Sequence, residues 1–474
     1  MINLNLNQQL FHNPYFISHN FLLKQSFKTT LTIAIPLILG NLTQVAYGLI
    51  DTAMIGSLGY KHLAAASLVV NVIAIPLVIG IGLIMSITPL VAIANGQNNH
   101  HKASHILFNG WMLSIVSGVV LAIIVNIVSL FLPNMGQDAE VAALAKNYLI
   151  IMGYSMIPMM VFSACKNFSD GLQYTQTAMT LSILSLPLNA FLCWVFIYGH
   201  CGLPAMGISG AGLATLISRS VLAIAMIIVV TKHKVFVPFI SHRKEAWRLK
   251  SETIKEMLGI GIPSSLQYCM EAGAFSISGI MVGWLGAVPQ AAHQIALNCA
   301  STTFMIALGF SMAGSIRISD AFGKEQFQEL AQIGKSTAFT GLAYGIIAAL
   351  FMIILGDYLP YVFTQDIVVI PTAKMLLVFA AIFQVSDATQ AIGVGLCRGV
   401  KDVVRPTVYV AIAYWGIGIP VGYLLAFPYH FGVTGIWIGF VVGLSFSAVL
   451  LNYRFFKNLK KISAKAVAVK DTSN

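Results

Sequence analysis

Charge is what this sequence has least of. Only 9% of its 474 residues are Asp, Glu, Lys or Arg, against about 25% in a soluble domain. That scarcity excludes a solvated globular enzyme and a charge-rich disordered chain. Cysteine is scarce too. Cys165, Cys193, Cys201, Cys269, Cys299 and Cys397 form no CxxC pair and no regular spacing, which excludes a disulfide framework and a structural metal motif. Most lie in or beside apolar runs and read as small apolar fillers. No HExxH, GxSxG or similar cluster appears, so neither a membrane-embedded enzyme nor a bound cofactor is expected.

What the chain has is apolar surface: 57% of residues are hydrophobic and mean hydropathy is +0.82. At roughly 20–25 residues per crossing, the length holds about twelve membrane helices. Apolar stretches of spanning length fall near 29–53, 63–94, 105–132, 141–164, 176–199 and 207–231, then near 256–283, 289–316, 332–355, 367–397, 404–427 and 433–453. The chain divides into an N-terminal segment 1–28, a first lobe 29–231, a basic linker 232–255, a second lobe 256–455 and a basic tail 456–474. Residues 1–28 are polar and carry no apolar core with a cleavage site, so no cleaved signal is expected. Residues 241–257 read equally well as an amphipathic helix on an anionic leaflet and as a solvated connector.

A net charge of +11 on a soluble domain would suggest nucleic acid. In a membrane protein it marks the cytoplasmic face, and no nucleic-acid partner is expected. With both termini inside, the outside holds only Lys61, Lys146 and Lys374, and Arg219 falls mid-span. Every other Lys and Arg of the 27 lies inside.

The first half lies over the second at a single offset of 227 positions. Pro36 meets Pro263, Gly59 meets Gly286, Asn71 meets Asn298, Gly82 and Met85 meet Gly309 and Met312, and Gly96 meets Gly323. At 228, Gly171 meets Gly399. The expected fold class is therefore an all-α membrane protein of twelve transmembrane helices, arranged as two pseudo-twofold-related six-helix bundles. An even number of crossings keeps both copies in one orientation, with the axis along the membrane normal. Transporters that hold substrate between their halves are built this way. The copies differ in their acids. Gln44 stands in the place of Glu271, Ser278 in that of Asp51, and Met159 near that of Asp387.

Asp51, Glu271 and Asp387 are the three carboxylates inside apolar stretches. A charge there costs at least about 2.5–3.5 kcal/mol and is by default a functional residue. Gln267, Gln384, Ser386 and Gln390 add oxygens around Glu271 and Asp387. Oxygen-only surroundings suit sodium, and loss of water makes any carboxylate easier to protonate. Sodium held at Glu271 and Asp387, or a proton, is the expected coupling ion. Arg219 reads as a partner for a carboxylate or as the lining of a watery cavity. His293 reads as a packed, hydrogen-bonded residue or as a proton relay. Asn189 lies just after Pro187, where a proline frees a backbone carbonyl and the amide adds an oxygen.

Several segments recur together in one known family. Ala-Ile-Pro-Leu-Ile-Leu-Gly and Gly-Leu-Ile-Asp-Thr-Ala-Met-Ile-Gly lie in the first stretch, and Thr-Pro-Leu-Val-Ala-Ile-Ala-Asn-Gly closes the second. Gly-Ile-Pro-Ser-Ser-Leu-Gln opens the seventh, and Ala-Ala-His-Gln-Ile-Ala-Leu-Asn lies in the eighth. Asp387-Ala-Thr-Gln runs on to Gly-Leu-Cys-Arg-Gly-Val-Lys-Asp. Over about residues 25–455 the chain resembles the multidrug and toxic compound extrusion (MATE) family, in its bacterial NorM-like branch. The resemblance implies an antiporter of the bacterial inner membrane. It would export cationic amphipathic organic compounds in exchange for sodium or protons, as a monomer in lipid. It implies a cation site at Glu271 and Asp387, and a second site at Asp51 completed by Asn189 and Thr215. Ser185 and Phe383 stand where the family often has an amide and an aromatic hydroxyl, so the choice between the ions stays open. An exporter or flippase of a lipid-linked or other metabolite on a related fold is the alternative. Its anionic cargo would call for several basic residues mid-span, where only Arg219 lies.

Overall fold

The computed structural model describes residues 14–132, 138–240 and 248–472. Twelve long helices build the described part. They are α1 (Pro14–Gly56), α2 (Tyr60–Gly96, interrupted at Met85 and Ser86), α3 (His100–Phe131), α4 (Ala139–Gly171), α5 (Thr175–Tyr198) and α6 (Gly207–Lys232), followed by α7 (Ser251–Gly283), α8 (Ala287–Gly323), α9 (Phe327–Ile354), α10 (Val369–Gly399), α11 (Val404–Ala426) and α12 (Val433–Thr472). Helices satisfy their interior backbone groups within the segment, as hydrocarbon surroundings demand. Eleven are long and apolar enough to cross a membrane. The other, α7, carries Glu252, Lys255, Glu256 and Glu271 and packs against α2. Several helices overrun their apolar stretch, α12 most of all, because the basic residues at its end suit a helix C-terminus.

The linker differs from its sequence reading. Residues 241–247 lie outside the described residues, so the surface-helix reading of 241–257 meets the structure only from 248 onward. Residues 248–250 are not helical, and α7 already begins at Ser251. Upstream, Phe236, Phe239 and Ile240 are buried in the first half's core. Phe236 packs against Tyr174, and Phe239 stacks on His100. Aromatic burial, invisible in a charge count, pins the start of this basic segment.

The duplication is visible in the packing. α1 packs on α5, α2 and α3 on α4, and α4 and α5 on α6. The pairs α7–α11, α8–α10, α9–α10, α10–α12 and α11–α12 repeat this scheme. The turns repeat as well. Gly59 and Gly286 open α2 and α8 at φ 118° and 117°, a region open to glycine, and Asn98 and Glu325 follow those helices at φ 52° and 58°.

The halves meet through α1 on α8 and α2 on α7. Glycines permit this approach. A Cβ on Gly82 would strike the Ser265 backbone, and one on Gly309 would strike Ile38. Gly96 sits over the Asp320 carbonyl and Gly323 over that of Ile93. In each case both partners are related by the offset of 227. One apolar cluster joins Ile33, Leu37 and Met85 to Phe310, Ile316 and Phe455. Hydrogen bonds between the halves lie at the same end. Asn41 Nδ2 donates to the Met305 carbonyl at 3.3 Å, Ser265 Oγ to that of Ile79 at 2.8 Å, and Asn95 Nδ2 to Asp320 Oδ1 at 3.3 Å. This is the end at which α1 begins and α12 finishes.

Gly82→Leu and Gly309→Leu should each destabilise the protein by about 1–3 kcal/mol through overpacking of this seam. Gly279→Ala, where nothing lies within 4 Å, should leave stability nearly unchanged. Thermal unfolding in detergent, with the three variants side by side, checks both expectations.

Candidate ion-coupling sites

The first site lies inside the first half. Asp51, near the end of α1, is 9% exposed. Thr215 Oγ1 of α6 donates to its Oδ2 at 3.1 Å, and the Cys193 thiol of α5 lies 3.5 Å from its Oδ1. Asn189, one turn before Cys193, is fully buried, with its Oδ1 4.0 Å from the same sulfur. Tyr47, Ser185 and Ser218 line the pocket. Arg219 donates through Nη1 to Ser155 Oγ at 2.7 Å and faces Asp51 within electrostatic reach, without a contact ion pair among the described residues. Asp51, Asn189, Thr215 and Arg219 are thus brought together. Cys193 is fully buried in the first half's apolar core, and its sulfur also approaches the acid.

The second site lies inside the second half. Glu271 of α7 is partly exposed into a small cleft lined also by Tyr268, Phe304, Gln390 and Arg398. Its Oε1 accepts from Gln267 Nε2 at 3.1 Å and from Gln390 Nε2 at 3.3 Å. Asp387 of α10 is 5% exposed and faces Glu271 within electrostatic reach. No hydrogen bond to its carboxylate is found among the described residues. A buried acid and a partly exposed one therefore face each other, and only neutral amides donate to them among the described residues. Gln384 donates instead to the Ala300 carbonyl at 3.3 Å and ties α10 to α8.

Two candidates stand apart from the acids. Ser386 bonds Ser445 of α12 at 2.7 Å. His293 is buried against Trp437, whose indole N–H donates to its Nδ1 at 3.1 Å. That acceptance leaves the ring proton on Nε2 and the imidazole neutral. Phe383 packs among Phe275, Trp437 and Phe440 and carries no oxygen to the site.

Two residues that sequence reasoning left out join the second site. Residues Ile412–Gly418 of α11 wind as a π-helical turn. Within it, Tyr414 is buried and faces both acids. It supplies a phenol to a site whose α10 has Phe383. Arg398, counted at first among the inside cations, is 3% exposed at the inner end of the Glu271 cleft. The only available signal was the repeat, in which Arg398 falls on Asp170 at the offset of 228.

The comparisons with known proteins follow this geometry. The family model described as MatE matches residues 36–195 and 263–424, one segment in each half. The chain belongs to the MatE family. It is 33% identical over 454 residues to the probable multidrug resistance protein NorM of Rhizobium meliloti (strain 1021), covering 93% of this chain and 96% of that one. A relative of the same name from Mannheimia succiniciproducens is 32% identical over 446 residues, covering 92% and 94%. Among solved structures, the eukaryotic MATE transporter AtDTX14 matches with TM-score 0.83 at 21% identity, over 94% of this chain and 99% of that one. An outward-facing multidrug resistance MATE family transporter of the MOP superfamily matches with TM-score 0.84 at 20% identity, over 92% and 96%. These likenesses carry the twelve-helix fold. The MatE chain is a multi-pass membrane transporter and not an enzyme.

Within this MatE fold, buried acids fall into two kinds. Asp170 and Asp320 hold lysines one turn away, Lys166 at 2.8 Å and Lys324 at 2.6 Å. Asp51, Glu271 and Asp387 hold none. Lys166→Met should leave the fully buried Asp170 uncompensated and cost about 3–5 kcal/mol. Lys61→Met removes only the exposed pair with Glu140 and should change stability little. Thermal unfolding of the two variants checks the contrast.

Proposed function

We propose that this protein is a multidrug efflux antiporter of the bacterial inner membrane. It exports cationic amphipathic compounds in exchange for sodium ions or protons, by alternating access. The observation that carries the reading is Asp387, a carboxylate 5% exposed that accepts no hydrogen bond among the described residues and faces a second acid, Glu271. A buried charge so placed needs a proton or a cation. An ion-loaded pair is neutralised; an unloaded pair attracts an organic cation. The NorM relatives are named for multidrug resistance, which supports the drug substrate.

Alternating access draws on the seam. The contacts between halves cluster at the end holding both chain ends. Toward the other end, α8 exposes Gln294, Asn298, Ser301 and Thr302, and α2 exposes Ser67 and Asn71. Such polar stripes are poorly suited to lipid; they line a water-filled space between the halves. The excess of Lys and Arg supports chain ends in the cytoplasm, and on that orientation this space opens outward. Parting the Gly82–Ser265 and Gly309–Ile38 contacts while closing the outer end would turn it inward.

Ethidium movement into proteoliposomes tests the reading, with a sodium gradient and a pH gradient imposed separately. One gradient should drive uptake. Asp387→Asn should reduce the driven rate about tenfold or more, the loss of at least ~1.4 kcal/mol of cation binding. Intact driven transport in Asp387→Asn would overturn the role of the acid pair. Movement under neither gradient would overturn the antiporter.

A further inference from the structure

Each half sets one guanidinium near its acids, Arg219 half-buried and Arg398 buried. In the first half Arg219 faces Asp51, one cation against one carboxylate. In the second half Arg398 faces Glu271 across their shared cleft, while Asp387 faces Glu271. Here one cation stands against two carboxylates. No contact ion pair to Arg398 is found among the described residues. Its Nη1 donates to the Met85 sulfur at 3.1 Å, and its Nε has no partner. Two other arginines near this end of the half, Arg454 and Arg317, have acids of their own, and Arg405 is exposed. Arg454 pairs with Asp402 at 2.7 Å, and Arg317 faces Asp320 and Glu329. The remaining titratable side chains facing the acids are phenols, Tyr268, Tyr344 and Tyr414, which are neutral near pH 7.

Net charge in a low-dielectric interior is far costlier than matched charge. The first half is matched within itself. The second is left with a single unmatched negative charge. We propose that Arg398 is the resident counter-charge of the Glu271–Asp387 pair, so that the second half takes up one monovalent cation per cycle rather than two, and the exchangeable charge belongs to that half. This rests on the antiporter reading for its place in a transport cycle. The charge count itself rests on the buried residues alone. Arg398 acts here as a positioning residue: it sets how many cations the acids hold without being the carried charge.

Infrared spectroscopy of protonated carboxyl groups, on protein in sodium-free detergent at neutral pH, reads the count directly. In that medium the compensating cation is the proton. Relative to wild type, Arg398→Gln should roughly double the signal of the pair, because both acids then need a proton. Asp387→Asn should abolish it, because Glu271 is then matched by the Arg398 that shares its cleft, and the Arg398→Gln/Asp387→Asn double variant should restore it. Arg398→Lys keeps the charge and should match wild type. A persistent signal in Asp387→Asn overturns the proposal even where Arg398→Gln fails to fold, and so do equal signals in wild type and Arg398→Gln. Failure of ethidium transport in wild type would strike the antiporter reading alone, because these spectra need no transported drug.

Discussion

A charge cannot remain unmatched inside a membrane protein, and this constraint sorts the polar interior. Where a carboxylate only has to hold helices, a lysine one turn away matches it, as at Asp170 and Asp320. At Asp51, Glu271 and Asp387 the contacts come from neutral donors or are missing. Neutral donors steady a carboxylate without cancelling its charge. At the second site the chain holds one guanidinium, Arg398, beside two carboxylates, so one negative charge is left without a partner in the chain.

The duplicated frame makes such a difference usable. Glycines at Gly82, Gly96, Gly309 and Gly323 bring backbone against backbone across the seam. Two lobes joined by small residues and a few hydrogen bonds can separate as rigid bodies, since no long side chain must be drawn out of a partner's core. The same frame holds unlike chemistry: an acid with hydroxyl, thiol and amide neighbours in one lobe, and two acids with amides and a phenol in the other. Duplication supplies the hinge and divergence supplies the charge.

Much of this was legible in the chain. The offset of 227 already contains the seam, since its glycine pairs are the residues that touch across it. The three acids stood out because hydropathy exposes a charge in an apolar run. Other members of the sites were hidden for physical reasons. Arg398 lies at the end of its apolar stretch, where a cation ordinarily sits at the interface, and only tertiary packing shows that α10 is buried there. Cys193 looks apolar, and only the approach of α5 to α1 gives its sulfur an acid. Tyr414 reaches the acids from a π-helical turn, and π turns leave no periodic signature. Ser386 errs the other way: it adjoins Asp387 in sequence, but successive residues on a helix face different directions, and its hydroxyl meets α12.

Met85 links the charge of the second lobe to the seam. It belongs to α2, in the first half, at the break between that helix's two segments. Its sulfur accepts from both Arg398 Nη1 and Tyr268 Oη, at 3.1 and 3.0 Å. The inner wall of the Glu271 cleft is therefore completed by the opposite lobe. While the seam is shut, Arg398 has a soft, weak acceptor and little water, and its charge reaches Glu271. Parting the seam would carry Met85 away and admit water, which weakens that field. On the antiport reading proposed above, the motion that opens the cleft would also alter how tightly its acids hold a cation. Opening and ion affinity would then be two consequences of one contact rather than separate events needing a relay.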